Sequence, residues 1–378
     1  MKWSWKIGRL AGIEVRVHAT FFLLISWVAW GNYAAEGSIQ AALAGVTFIA
    51  LLFGIVVLHE LGHALTARRF GVATRDITLL PIGGVARLER MPDNPRHELA
   101  VAVAGPAVNV VLAAVLACAG LLLGTDIRPQ ATTSNLLAQL LWINVTLATF
   151  NLLPAFPLDG GRALRAMLAM RIPDLRATEI AARLGQALAV VLGIAGLFGN
   201  VVLLLIAVFI WMGARAETSA AQLKDAMSGL TAGQAAIREV HVLAPTDPVS
   251  AAVEHALHSF QRDFPVLDHG RVAGVLSHRA LLSALSEDGR DTPVAPLMEP
   301  NPATVPSTMG LSKALEALEK APCRCLLVVD ATGGGGLVGM LTVDAVGELI
   351  AVREAVRSHD RASPFVSAAA RRTSATLA

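Results

Sequence analysis

Apolar and polar positions fall into two regimes along the chain. Over residues 17–214 the apolar residues come in long runs with few charges. Over 218–378 they come in short runs, broken by turns and charges. A run of about 20 apolar residues is long enough to cross a bilayer as a helix. By that rule the first regime predicts spans at residues 18–34, 41–68, 98–123 and 136–153. Residues 179–198 and 201–215 read as two further spans with a Gly199-Asn200 turn between them, or as one long span, since Glu179, Arg183 and Gln186 crowd the start. The count is about six.

Two stretches of the first regime are not helical in pattern. Residues 1–17 mix Trp, Lys and Arg with alternating Val and Ile, which suits an interfacial segment, a short strand pair with Trp3 and Trp5 at headgroup depth. Residues 76–90 alternate and are interrupted by Pro81, Gly83 and Gly84, so they read as two short strands around a tight bend, or as a simple loop. Irregular backbone beside a membrane helix must be buried in protein or line a wet cavity. An open strand edge there could pair with an extended peptide.

The second regime opens with a polar linker, 218–235. Two similar halves follow, each helix–strand–turn–strand–helix, at about 236–287 and 294–352: an internal duplication. Residues 353–378 are rich in Ala, Arg and Ser without periodicity, the composition of a disordered tail. The expected architecture is a polytopic α-helical membrane domain over 1–217, with a small membrane-associated β-hairpin, followed by a duplicated α/β domain.

Chemistry concentrates in the second span, which ends in His59-Glu60-Leu61-Gly62-His63. Histidines four apart share a helix face. Two neutral imidazoles so placed can bind one Zn²⁺, and Glu60 can act on water as general base. The competing reading is a helix with two chance histidines. It suits a soluble helix, but ionisable groups in hydrocarbon are costly and mark partners or cavities. A zinc site needs at least one more ligand. Asp159, the one carboxylate where Pro154, Pro157, Gly160 and Gly161 break the fourth span, is the candidate by elimination. Its alternative role is to cap the helix beginning near Arg162. In the third span Pro106 kinks the helix, and Asn109 needs a partner, so it should face the bundle.

Composition narrows the partners. The chain is 54% hydrophobic and 16% charged with a net charge of +2, which gives no basis for nucleic-acid binding. Three cysteines give no disulfide framework. Cys118 lies in an apolar span, and Cys323-x-Cys325 opens a strand; a lone thiol pair is too small for a structural zinc site. Lys2, Lys6, Arg9, Glu14 and Arg16 scatter charge where a cleavable signal peptide would be apolar. Positive charge clusters at the N-terminus, at Arg68/Arg69/Arg75, between Arg162 and Arg183, and after Arg215. Both termini are then cytoplasmic, and the His59/His63/Asp159 site opens to that side.

The membrane half resembles the site-2 proteases, intramembrane metalloproteases of regulated proteolysis. The resemblance rests on His59-Glu60-x-x-His63, Pro81-x-Gly83-Gly84, Gly105-Pro106-x-x-Asn109 and Asn151…Pro157-x-Asp159-Gly160. It is greatest to the six-span branch that includes the sporulation-factor processing protease, which carries C-terminal cystathionine-β-synthase (CBS) domains. The duplicated halves are similar to such a pair. The resemblance implies one zinc held by His59, His63 and Asp159, with Glu60 as base. It also implies that Asn151 lies near the scissile peptide, and that the Gly83-Gly84 hairpin offers its edge to the substrate strand. Pro157 and Asn109, within the matching motifs, are grouped with these substrate contacts. Implied partners are a single-span membrane protein (a transcription factor, an anti-sigma factor or a remnant signal peptide), a bilayer that is the bacterial inner membrane, and a second copy through the CBS pair. CBS pairs that bind adenosyl nucleotides commonly carry Thr/Ser-x-x-Asp. Here Ser277-His278-Arg279-Ala280 lacks the Asp and Thr342-Val343-Asp344 is one residue short, which leaves Asp344 as the sole candidate contact. The alternative function is a CBS-regulated ion channel or transporter. Such a protein needs ion ligands, but not a Glu between two ligating histidines.

Overall fold

The computed structural model describes all residues except 1–2, 82, 130–134, 260, 288, 331–335 and 363–378. The chain divides into two compact units, Met1–Ala221 and Gln222–Ala378.

In the first unit a hairpin, β1 (Ser4–Leu10) and β2 (Ile13–His18), leads into α1 (Ala19–Glu36) and α2 (Ile39–Arg69). Then come β3 (Thr74–Leu80) and β4 (Gly83–Leu88). The four strands form one sheet in the order β1-β2-β3-β4, with β2 and β3 parallel and the outer pairs antiparallel. A parallel pair needs a crossover, and α1 and α2 supply it. The alternation in β2 buries Ile13, Val15 and Val17. Val15 and Val17 cluster with Phe21, Phe53, Val57 and Leu79, so the sheet seats on α1 and α2. The sequence predicts the two strand pairs, but their union depends on long-range register that local alternation does not carry. On the exposed face Lys6, Arg16 and Arg9 hold the Glu14 carboxyl down to about 2.

Beyond the sheet lie α3 (Pro95–Leu122), α4 (Leu136–Asn151), α5 (Asp159–Ala169), α6 (Asp174–Leu197) and α7 (Val201–Met227). Among the described residues α2, α3, α6 and α7 are long and apolar enough to cross a membrane. The other two expected spans are helices too. However, α4 has 16 residues, and α1 carries Asn32, Tyr33 and Glu36 in its last turns. The two-or-one alternative over 179–215 resolves as two helices, α6 and α7.

Between α4 and α5 the backbone leaves helical geometry. It is buried there among apolar side chains: Ala155 and Leu158 pack with Ala189 and Ile210, and Phe156 packs with Ala181, Ala182 and Ala214. This is how irregular backbone is tolerated at membrane depth. A Cβ on Gly160 would lie 2.3 Å from the carbonyl oxygens of both Leu152 and Leu153, so only glycine fits that turn.

The second unit contains α8 (Ala232–Ala235), α9 (Val249–His258), β5 (Phe264–Asp268), β6 (Arg271–Leu276), α10 (His278–Glu287), β7 (Glu299–Pro300), β8 (Thr304–Pro306), α11 (Leu311–Lys320), β9 (Cys325–Val329), β10 (Leu337–Thr342) and α12 (Val343–Ala362). Its sheets are β5-β6-β7 and β10-β9-β8, each with its own core. The third strand of each, two or three residues long, is too short to announce itself by alternation. The polar linker expected at 218–235 differs in the structure. α7 continues to Met227, and Met227, Ala232 and Ala235 are buried in the second core, because alanine-rich sequence is a strong helix former and small enough to bury. The tail expected from 353 is helical to Ala362; 363–378 and most of the expected turn at 333–336 lie outside the described residues.

Candidate metal centre

α2 presents His59 and His63 on one face, and both are buried. α5 starts at Asp159, so its carboxylate projects from the helix's first residue. Leu158 holds the N-cap position instead, and no side chain caps the helix. Asp159 Oδ2 lies 3.2 Å from His59 Nε2 and 3.2 Å from His63 Nε2, and the two Nε2 atoms are 3.1 Å apart. Of the described residues, this is the one group of three or more His, Cys, Asp or Glu placed to share a metal ion.

The hydrogen bonds behind the histidines fix their tautomers. Asn144 Nδ2 donates to Leu140 O, which can only accept. Asn144 Oδ1 is then free to accept from Asn109 Nδ2, at 3.2 Å. Asn109 Oδ1 must therefore accept from His59 Nδ1–H, at 2.6 Å. On the other side, His63 Nδ1 donates to Val101 O at 2.7 Å. With Nδ1 engaged in these bonds, each imidazole turns its Nε2 toward the Asp159 carboxylate. The two Nε2 atoms and Asp159 Oδ2, the nitrogen and oxygen donors that zinc takes, then face one another. Their spacing suits zinc. Ligands about 2.0 Å from a tetrahedral centre are about 3.3 Å apart, close to the three distances found.

Glycine makes the room. A Cβ on Gly105 of α3 would lie 2.2 Å from His63 Nε2 and 2.7 Å from His59 Nε2. Gly62 lets α3 approach α2, with Ala104 O 2.9 Å from where its Cβ would be. Glu60 stands one residue from His59 and turns toward β4, where its Oε2 accepts the Ala86 N–H at 3.1 Å. A Cβ on Gly84 would lie 2.9 Å from Glu60 Cγ.

Not every residue expected at the site is brought to it in the same role. Asn109 is fully buried behind His59, where its Oδ1 meets the imidazole Nδ1. Pro157 packs against α7, its Cδ 2.4 Å from where a Gly213 Cβ would be, so it braces the break. Asn151 ends α4, half-buried. β4, with Gly83 and Gly84, is the terminal strand of its sheet. Asp344 is exposed in the first turn of α12. Two contributors escaped the sequence reading. Asn144 is fully buried and anchors Asn109; an Asn in the middle of an apolar helix was the available signal, as it was for Asn109. Glu98, 3% exposed, pairs with Arg165 of α5. It read as the polar edge of a span.

A profile for Peptidase family M50 matches residues 47–128 and 125–192, and a CBS-domain profile matches 232–287 and 294–351. The chain is 34% identical over 277 residues to a zinc metalloprotease of Methanocaldococcus jannaschii, covering 73% of this chain and 78% of the relative. It is 30% identical over 366 residues to a Mycobacterium tuberculosis protein provisionally named zinc metalloprotease Rip3, covering 92% of both. Among solved structures, the Methanocaldococcus jannaschii site-2 protease is 38% identical, covering 57% of this chain and 95% of that one at a TM-score of 0.43. Similarity sustained through the helices that carry the histidines and the aspartate and on through the CBS pair makes this chain a member of peptidase family M50: a multi-pass membrane zinc metalloprotease of the site-2 type.

Proposed function

We propose that the chain hydrolyses a peptide bond in or beside the transmembrane segment of a single-span membrane protein, with His59, His63 and Asp159 as zinc ligands and Glu60 as general base. The observation that carries this reading is the triangle of His59 Nε2, His63 Nε2 and Asp159 Oδ2, with the Glu60 carboxylate one residue from His59. Zinc held there supplies Lewis acidity to a water and to the scissile carbonyl. Glu60 takes the water's proton and returns it to the leaving amine. Asn109 and Val101 O keep the two imidazoles oriented with their Nε2 lone pairs toward the ligand position. A helical substrate hides its peptide bonds in its own hydrogen bonds, so it must unwind before it can react. The β4 edge favours the extended form by offering ladder hydrogen bonds. Asn151, half-buried at the end of α4, is the polar group available to hold the peptide or the developing oxyanion.

The reading extends to topology. α1 and α4 join the four long helices as spans, giving six, with both termini cytoplasmic in a bacterial inner membrane. The CBS pair modulates the activity and pairs two copies of the chain. Substrates of the right architecture are membrane-bound transcription factors, anti-sigma factors and remnant signal peptides. The test compares membrane fractions from cells making wild type and Glu60→Gln, with peptide termini mapped by mass spectrometry. One or a few single-span proteins are expected to accumulate uncut in Glu60→Gln. Identical termini under several stresses would overturn the reading and return attention to ion flux.

A further inference from the structure

The proteolytic chemistry leaves two sulfur atoms unused. Cys325 begins β9 and is 1% exposed; Cys323, two residues earlier, is 7% exposed. In a regular strand such residues share a face about 6.6 Å apart. Cys323 lies in a bend before the strand, and the bend brings the Sγ atoms to 3.5 Å, with Cys323 Sγ also 3.5 Å from the Cys325 carbonyl oxygen. The pair sits in an apolar cluster with Val272 and Val275 from β6 of the first CBS half and Leu327, Leu337 and Met340 from β9 and β10 of the second. It therefore lies at the seam between the halves. No third His, Cys, Asp or Glu joins it as a metal donor among the described residues. Two thiols in contact, without a third ligand, are suited to electron exchange.

We propose that Cys323 and Cys325 form a reversible dithiol–disulfide couple at the seam of the CBS pair. The two thiols are unequal. The hydrogen bond from Cys325 lowers Cys323, against burial and against Asp263 and Glu299, while the same bond raises Cys325. Cys323 is thus the nucleophile and Cys325 the resolving thiol. The oxidant is a peroxide, small enough to reach a nearly buried sulfur. The Cys323 thiolate attacks one peroxide oxygen, the O–O bond breaks, and Cys323 becomes a sulfenic acid with hydroxide leaving; the proton shed by Cys323 makes that hydroxide water. The Cys325 sulfur then attacks the sulfenic sulfur, and the second water leaves with the Cys325 proton. Two thiols and one hydrogen peroxide give one disulfide and two waters, and the two electrons lost by sulfur reduce the peroxide. Closing the bond shortens the gap to about 2.05 Å. An excess of small-molecule dithiol reverses it. Intracellular disulfides of this kind are transient and redox-sensing.

The experiment uses the full-length protein in detergent, reduced, freed of reductant and titrated with hydrogen peroxide. The peptide spanning Cys323 and Cys325 is expected to lose two hydrogens within a single chain and to regain them with dithiothreitol, before Cys118 is modified. Because this measurement is made on the native chain, it does not depend on a variant folding. Cys325→Ser should trap a sulfenic acid at Cys323 that dimedone captures, and Cys323→Ser should abolish the reaction. The proposal is overturned if both sulfurs stay free, if Cys323 passes to sulfinic acid without a disulfide, or if the only disulfide joins two chains.

Discussion

At the scale of single residues, the site is built as much by what is small or hidden as by the donors. Gly105 carries no chemistry, yet any Cβ there would occupy the space between the imidazoles. Gly105→Ala is expected to abolish stoichiometric zinc in the purified protein while leaving its helicity by circular dichroism unchanged. Zinc retained at full stoichiometry would mean that the histidines have other positions open to them. Asn109→Leu removes the acceptor that fixes His59 as its Nδ1–H tautomer. Zinc affinity measured by chelator competition should fall about 10–100-fold. A larger loss of stability than of affinity would mark Asn109 as structural instead. Gly84→Val presses on Glu60 Cγ and Val56 Cγ1, so proteolysis should fall while zinc content holds. His59, Glu60 and His63 were legible in the sequence because their spacing matches a helix face and lipid makes chance an expensive explanation. The roles of Asn109 and Gly105 were not, since both depend on the depth at which α3 crosses α2. A motif can flag such a residue without saying whether it faces the ligand or the substrate.

At the scale of elements, the question is what keeps Asp159 at its station. It is the first residue of α5, a short helix after a backbone break, and helix starts fray unless they are tied. α5 is tied by two arginines one turn apart. Arg165 pairs with the buried Glu98 of α3, and Arg162 reaches Glu217 of α7 at 3.4 Å. The sequence showed these arginines only as positive charge on one side of the membrane; that Arg165 spends its charge on a buried partner needed the helix packing. Breaking a buried pair from one side costs about 3–5 kcal/mol, because the other charge is stranded. Arg165→Met should accordingly lower both the melting temperature and zinc affinity, as Glu98 loses its partner. The double variant Arg165→Met/Glu98→Gln should recover most of the stability. If zinc affinity recovers with it, the pair acts by holding the fold. If zinc affinity stays low while stability returns, the pair positions Asp159.

At the scale of the whole molecule, two units with separate cores share one chain, and His59, Glu60, His63 and Asp159 all lie in the first. The duplication of the second was readable because two halves repeat one order of elements. Whether it takes a nucleotide was not, since neither half offers the complete Thr/Ser-x-x-Asp pattern and Asp344 is exposed at the start of α12. If the CBS pair modulates rather than builds the site, a chain ending at Ala221 should retain zinc, and the closed donor network through Asn109, Asn144 and Val101 gives the reason. Cleavage by the truncated chain should persist but no longer respond to whatever condition changes the full-length rate. The measurement is zinc stoichiometry alongside cleavage of the single-span protein that accumulates uncut in Glu60→Gln. Zinc lost on truncation would make the second unit part of the structural support of the centre. Zinc kept with all cleavage lost would make the CBS pair part of substrate capture. Zinc and cleavage both kept, with the response gone, is the outcome that modulation requires.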